Sequence, residues 1–118
     1  MVMKHLEVQV RRQHGVAVLD LHGEINAFAE AALSTAYAEA EGQQTGVILL
    51  NFADVTYINS TGIALIVGLL AKARKTQRRL LACGLSDHYV EIFQITRLVD
   101  FMHIFPTESE ALAHESQG

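Results

Sequence analysis

The chain has 118 residues, of which 50% are hydrophobic and 19% charged, and its formal net charge is −4 with the histidines neutral. This length and composition are typical of one globular domain that needs neither disulfides nor metals to stabilise its core. The acidic balance gives no electrostatic reason to expect nucleic-acid or membrane binding. The one cysteine, Cys83, cannot form an internal disulfide, and its apolar neighbours favour a small buried side chain over a redox-active thiol.

Residues 1–118 are expected to form one domain, with 113–118 as a flexible tail. Met1 to His5 leads into an alternating pattern and not into an apolar segment, so no signal peptide is expected. The longest apolar stretch, Ile63 to Ala71, is too short to cross a bilayer. We therefore expect a cytoplasmic protein.

The periodicity changes repeatedly between two and 3.6 residues along the chain. Alternation over 6–11 and the apolar run at 16–21 predict a hairpin around His14-Gly15. In chain order, the later predicted elements are a helix at 27–41, a strand at 47–52, a helix at 60–76, a strand at 79–83, a helix at 87–95, a strand at 101–105 and a helix at 108–114. Thr107 is the expected cap of the last helix.

This alternation predicts an α/β fold, with a mostly parallel sheet of about five strands and about four helices. The N-terminal strand is expected at an edge, antiparallel to its neighbour. In such sheets the functional loops follow the carboxyl ends of the strands. Two predicted loops qualify, Gly23 to Asn26 and Asp54 to Ser60.

Local motifs give no support for catalysis, a cofactor or a metal. The six histidines lack metal-ligand spacing, and no glycine-rich phosphate loop or hydrolase elbow occurs. Glu24, Asp54 and Glu91 could supply a carboxylate pair, but linear sequence does not place them together. We therefore expect a protein that is not an enzyme.

The junction at Ser60 has two interpretations. As a structural residue, Ser60 or Asn59 caps the following helix. As a functional residue, Ser60 presents a hydroxyl to a kinase at the positive end of a helix, where a phosphate meets free N–H groups.

The helix that follows is apolar nearly all round, which indicates either full burial or a binding face. Ile63, Ile66, Val67 and Leu70 form one stripe at core spacing. Leu65 and Leu69 fall on another side, beside a row of small residues, Ala64 and Gly68. We interpret that second side as a partner-binding face next to Ser60.

Three segments in this order and spacing resemble the STAS family, specifically the bacterial anti-sigma factor antagonists. Leu19 to Asn26 resembles the family's strand ending in a Gly-Glu-(Leu/Ile)-Asp turn, and Val47 to Val55 resembles its central strand and loop. Tyr57 to Ile63 resembles its Asp-Ser-(Ser/Thr)-Gly-(Leu/Ile) phosphorylation motif. The resemblance covers essentially the whole chain.

The resemblance implies partner switching. An unphosphorylated antagonist binds an anti-sigma factor that is a serine kinase, the kinase phosphorylates the motif serine, here Ser60, and a serine phosphatase resets it. The implied partner-binding residues are Asn26, Asn59, Thr61, Gly62, Ala64, Leu65, Gly68 and Leu69. The sequence also does not exclude a weak homodimer.

The chain departs from the family pattern at two positions, where Asn26 and Asn59 replace the usual Asp. If those carboxylates orient the serine or recruit the kinase, phosphorylation here is slower or needs another kinase. Alternatively, the two Asn side chains act as caps and turn formers.

Two other functions remain as alternatives. One is a STAS sensing or scaffold module that is not phosphorylated and binds a small ligand or nucleotide near the two loops. The other is a small enzyme of flavodoxin-like architecture, which the missing phosphate-binding loop disfavours.

Overall fold

The five strands form one sheet in the order β1-β2-β3-β4-β5 in a computed structural model that describes residues 5–42 and 45–116. The elements are β1 Glu7–Gln13, β2 Val16–Ile25, α1 Glu30–Gly42, β3 Val47–Ile58, α2 Ser60–Lys75, β4 Arg79–Cys83, α3 Asp87–Ile95, β5 His103–Phe105 and α4 Glu108–Ser116. Only the β1–β2 pair is antiparallel, and β1 lies at an edge. The predicted fold class is confirmed.

The sheet is covered on both faces. On one face, Leu19, Leu50 and their neighbours pack against α1, α2 and α3 through a large apolar core. On the other face a smaller cluster around Val18 and Leu49 packs against α4 through Ala111. The continuous apolar run that begins β3 is therefore explained, because successive side chains of a strand point to opposite faces and both faces are buried.

Cys83 belongs to the smaller cluster and is fully buried. Burial raises the pKa of its thiol to about 12, so the thiolate needed for redox chemistry is scarce at neutral pH. The interpretation of Cys83 as a small buried side chain is confirmed.

An ionic network links α4 to the edge of the sheet. Arg11 on β1 donates to Asp20 on β2 at 2.9 Å and to Glu108 on α4 at 2.6 Å. Asn51 on β3 also donates to Asp20, at 2.9 Å. The Arg11 guanidinium holds the pKa of the Asp20 carboxyl below its usual value, because it stabilises the charged form.

Several boundaries differ from the predicted ones. β2 and β3 continue to Ile25 and Ile58 through segments predicted as loops, because the two segments pair with each other across two register shifts. A 3-10 turn at Ala27–Ala29 precedes α1, and another at Leu98–Asp100 shortens β5.

The last helix is slightly longer than predicted. α4 runs to Ser116, two residues beyond the predicted end at 114, and its Glu115 pairs with Arg79 at 2.7 Å. Residues 117 and 118 lie outside the described part. No helix in residues 5–42 and 45–116 is long and apolar enough to cross a membrane.

Candidate functional site

The two predicted loops meet at one end of the sheet. Ile25 and Ile58, the last residues of β2 and β3, are register partners, and the N–H of Asn59 donates to the carbonyl of Ile25 at 3.2 Å. Asn26 and Asn59 each follow one of these paired residues. The prediction that the turn after β2 adjoins the junction before α2 is confirmed.

Both asparagines are helix caps. Asn59 Oδ1 accepts the N–H of Gly62 at 2.8 Å and caps α2, while Asn26 Oδ1 accepts the N–H of Phe28 at 2.9 Å and caps the 3-10 turn. The interpretation of these residues as caps is confirmed. An Asp to Asn exchange preserves this role because both side chains offer a carbonyl or carboxylate oxygen to the backbone.

Ser60 is the first residue of α2 and is exposed. Since Asn59 caps the helix, the Ser60 hydroxyl is not needed as a cap, and it makes no hydrogen bond within the part of the chain that the structure describes. Ser60 and Thr61 also carry N–H groups that precede the first intrahelical bond, which Ile63 makes to the Asn59 carbonyl. A phosphate on Ser60 would thus meet free donors and the positive end of the helix dipole.

Gly62 is buried where α2 crosses the end of β2. A Cβ atom at this position would lie 2.1 Å from the carbonyl oxygen of Ile25, so only glycine allows this approach. Its inclusion among the surface residues that bind a partner is therefore wrong. Gly62 positions the first turn of α2 and does not itself offer side-chain surface.

The rotation of α2 corrects two further predictions. Leu69 is only 4% exposed and belongs to the core, so it cannot form part of a binding face, whereas Val67, predicted in the core, is 45% exposed. Leu65 is half-buried against the core. Gly62, Ile66 and Leu69 lie on the side of α2 that packs on the sheet. The opposite side of the helix is exposed to solvent.

We call the exposed residues of α2 that follow this side the α2 outer face. It consists of Ser60, Thr61, Ala64, Val67, Gly68 and Ala71. The placement of Thr61, Ala64 and Gly68 on an exposed surface is as predicted, and their binding role stays a prediction.

Two exposed aromatic side chains close in sequence to the capping asparagines were not predicted as site residues. Phe28 is 69% exposed on the 3-10 turn that contacts α2, and Tyr57 is 51% exposed near the end of β3. Each lies two residues from a capping Asn. That spacing is a weak signal in the sequence, because the exposure of an aromatic residue depends on tertiary packing.

Comparison with known proteins agrees with this fold. The curated anti-sigma-B factor antagonist of Staphylococcus aureus strain NCTC 8325 is 28% identical over 100 residues, covering 85% of this chain and 93% of its own length. The antagonist of the same name from Listeria monocytogenes is 32% identical over 88 residues, covering 75% of this chain and 77% of its own.

The solved structure of the Bacillus cell fate determinant SpoIIAA in its phosphorylated form is similar in fold, with a TM-score of 0.69 and 23% identity. The match covers 91% of this chain and 97% of that one. The STAS domain profile matches residues 7–111, which is most of the chain. The protein therefore belongs to the STAS domain family.

Proposed function

We propose that this protein is an anti-sigma factor antagonist that works by binding and not by catalysis. In its unphosphorylated form it binds an anti-sigma factor that is also a serine kinase. Phosphorylation of Ser60 releases that partner, and a serine phosphatase restores binding. The observation that carries the proposal is the exposed, unbonded hydroxyl of Ser60 at the start of the α2 outer face.

The relatives support the general role. The Staphylococcus and Listeria proteins are named anti-sigma-B factor antagonists, and they align over most of this chain. SpoIIAA, whose fold is similar, exists in a phosphorylated form. These likenesses favour a switch of the same kind here.

The shape of the α2 outer face supports a close-fitting partner. Gly68 lies in the middle of α2, and a Cβ built there would meet no atom within 4 Å, so the fold of the chain does not require glycine. Glycine costs about 1 kcal/mol relative to alanine inside a helix. A partner backbone that approaches Gly68 closely would explain why this cost is tolerated.

The distribution of charge supports disruption by phosphate. No Lys or Arg occurs between Arg12 and Lys72, so β2, α1, β3 and most of α2 offer neither of these side chains to pair with a phosphate on Ser60. The added charge of about −1.5 to −2 would then be desolvated or repelled at an apolar contact surface. A loss of about 3 kcal/mol weakens binding roughly a hundredfold, which is sufficient for a switch.

The alternative is a STAS sensor or scaffold that holds a small ligand or nucleotide near the two junctions. The cavity that adjoins this region, bounded by Ile58 and Tyr89, has a volume of about 110 Å³. Sites for ligands of drug size usually span about 300–1,000 Å³. This cavity is therefore small for a nucleotide, and we favour the switch.

The direct test is phosphorylation by an anti-sigma factor serine kinase from the same organism. The purified protein, incubated with that kinase and ATP, is expected to gain one phosphate, which peptide mass spectrometry assigns to Ser60. Ser60→Ala should gain none. Ser109→Ala is the matched control, because it removes an exposed serine hydroxyl on α4, which covers the opposite face of the sheet from α2, and it should be modified like the wild type. Modification at Thr61, or none at all, would contradict the proposal.

A further inference from the structure

The last part of β3 lacks a strand neighbour on one side. β4 pairs with β3 only as far as the Asn51–Cys83 register pair, whereas β2 pairs with β3 to its end at Ile58. Beyond Phe52 most residues of β3 are exposed and can bond to water, but Ile58 is buried, so its N–H needs a protein partner.

A tyrosine on α3 supplies that partner next to the Ser60 junction. The N–H of Ile58 donates to the hydroxyl oxygen of Tyr89 at 2.9 Å. The following N–H, that of Asn59, donates in the other direction, to the carbonyl of Ile25. Two consecutive backbone groups are therefore held by two different elements directly before Ser60.

Tyr89 is itself held in place by its surroundings. Its own N–H is capped by Ser86 Oγ at 3.4 Å, and its ring packs partly buried against the main core. α3 is fixed to β3 further along by Phe93, whose buried ring meets Phe52 edge-on at a centroid distance of 5.9 Å. The hydrogen bond from Ile58 to the Tyr89 hydroxyl thus ties the end of β3 to α3.

We propose that Tyr89 is a positioning residue for Ser60, which it does not contact itself. This inference rests on the proposed function, since it concerns how the phosphorylated serine is presented. Without the Tyr89 hydroxyl the Ile58 N–H loses its protein partner, and the backbone directly before Ser60 keeps only its hydrogen bonds to β2 and to the first turn of α2. The hydroxyl of Ser60 would then spend less time in the orientation that a kinase requires, which lowers the rate of phosphoryl transfer.

The test compares two tyrosine to phenylalanine variants. Tyr89→Phe removes the hydroxyl and retains the ring. Tyr37→Phe is the matched control, because it removes a buried tyrosine hydroxyl on α1 whose polar neighbour is Thr76, beyond the C-terminal end of α2 and away from Ser60. Amide hydrogen exchange of Ile58 and Asn59 is measured in both, together with the kcat and KM of Ser60 phosphorylation by the same anti-sigma factor serine kinase.

In Tyr89→Phe we expect exchange at Ile58 to accelerate about two- to tenfold, the range that corresponds to one typical hydrogen bond. The kcat for Ser60 phosphorylation should fall by a similar factor while KM changes less than about twofold, because the α2 outer face is unaltered. Tyr37→Phe should match the wild type in both measurements. Equal exchange at Ile58 in Tyr89→Phe and wild type, or faster exchange with an unchanged kcat, would overturn the inference.

The two proposals fail in different ways. If the wild type is not phosphorylated on Ser60, the proposed function is wrong. In that case amide hydrogen exchange is the only measurement that tests whether Tyr89 positions the segment before Ser60. Acceleration at Ile58 and Asn59 in Tyr89→Phe, but not in Tyr37→Phe, supports that role, and its absence refutes it.

Discussion

Asn59 Oδ1 accepts the N–H of Gly62 at 2.8 Å, so the residue before Ser60 caps α2 and the serine hydroxyl is left without a structural task. A serine at the start of a helix often serves as its cap. Here Asn59 is the cap, and the Ser60 hydroxyl remains available for modification. The helix is stabilised by Asn59, and modification of Ser60 does not remove the cap.

The first prediction concerns this division of roles. Asn59→Ala should lower the free energy of unfolding by about 1 kcal/mol, because the Gly62 N–H loses its cap. Ser60→Ala should change it by less than about 0.5 kcal/mol, since no hydrogen bond of the hydroxyl is lost within the described structure. Urea denaturation of both variants measures the difference. A larger loss in Ser60→Ala than in Asn59→Ala would show that the serine is the cap.

The second prediction concerns charge at Ser60. Ser60→Asp is expected to abolish binding to the cognate anti-sigma kinase, because it places a permanent negative charge on the α2 outer face. Ser60→Ala should bind like the unphosphorylated protein and remain bound when ATP is added. Isothermal titration calorimetry, with and without ATP, gives both results. Tight binding by the Asp variant would argue against an electrostatic switch.

The third prediction contrasts two glycines of α2. Gly68→Ala should stabilise the free protein by about 1 kcal/mol, because alanine is the better helix former and its Cβ meets open space. The same variant should bind the partner more weakly. Gly62→Ala should instead destabilise by about 2–3 kcal/mol, since its Cβ collides with the Ile25 carbonyl.

Thermal unfolding and partner titration on the two glycine variants provide the check. If Gly68→Ala gained stability and bound with unchanged affinity, the partner would not approach the helix at this point. Gly68 would then lie outside the contact between the α2 outer face and the partner.

The fourth prediction concerns the sides of α2. Val67→Glu should leave the free energy of unfolding within about 0.5 kcal/mol of the wild type and weaken the complex, because Val67 is exposed on the α2 outer face. Leu69→Glu should destabilise by about 3 kcal/mol or more, since it buries an unpaired charge in the core. Circular dichroism melts and binding assays distinguish the two. A well-folded Leu69→Glu that fails to bind would restore the sequence-based assignment of that leucine.

The fifth prediction concerns acid stability. Arg11 lowers the pKa of Asp20 in the folded protein from its usual value of 3.8, so this carboxylate stabilises the fold above that value. The contribution is lost as the pH falls through the lowered pKa. Asp20→Asn should therefore be less stable than the wild type at pH 6, with a smaller further loss below about pH 4. Equal slopes of unfolding free energy against pH in the acid range would contradict this.

Much of the fold followed from the sequence because its signals are local. The change between periods of two and 3.6 predicted the element order, and that order implied a parallel sheet with an antiparallel edge strand. The apolar run at 47–50 is typical of a strand buried on both faces, as β3 is from Ile48 to Leu50. The position of the site also followed, because the carboxyl ends of neighbouring parallel strands necessarily meet at one end of the sheet.

The tertiary structure alone decided which residues of the site reach the surface. α2 is apolar nearly all round, so its periodicity could not tell Val67 from Leu69, and the close approach of Gly62 to the Ile25 carbonyl determined the rotation. The pairing of β2 with β3 likewise converted two predicted loops into strand. The contact between Tyr89 and Ile58 joins residues 31 positions apart, and no local pattern in the sequence specifies a partner at that distance.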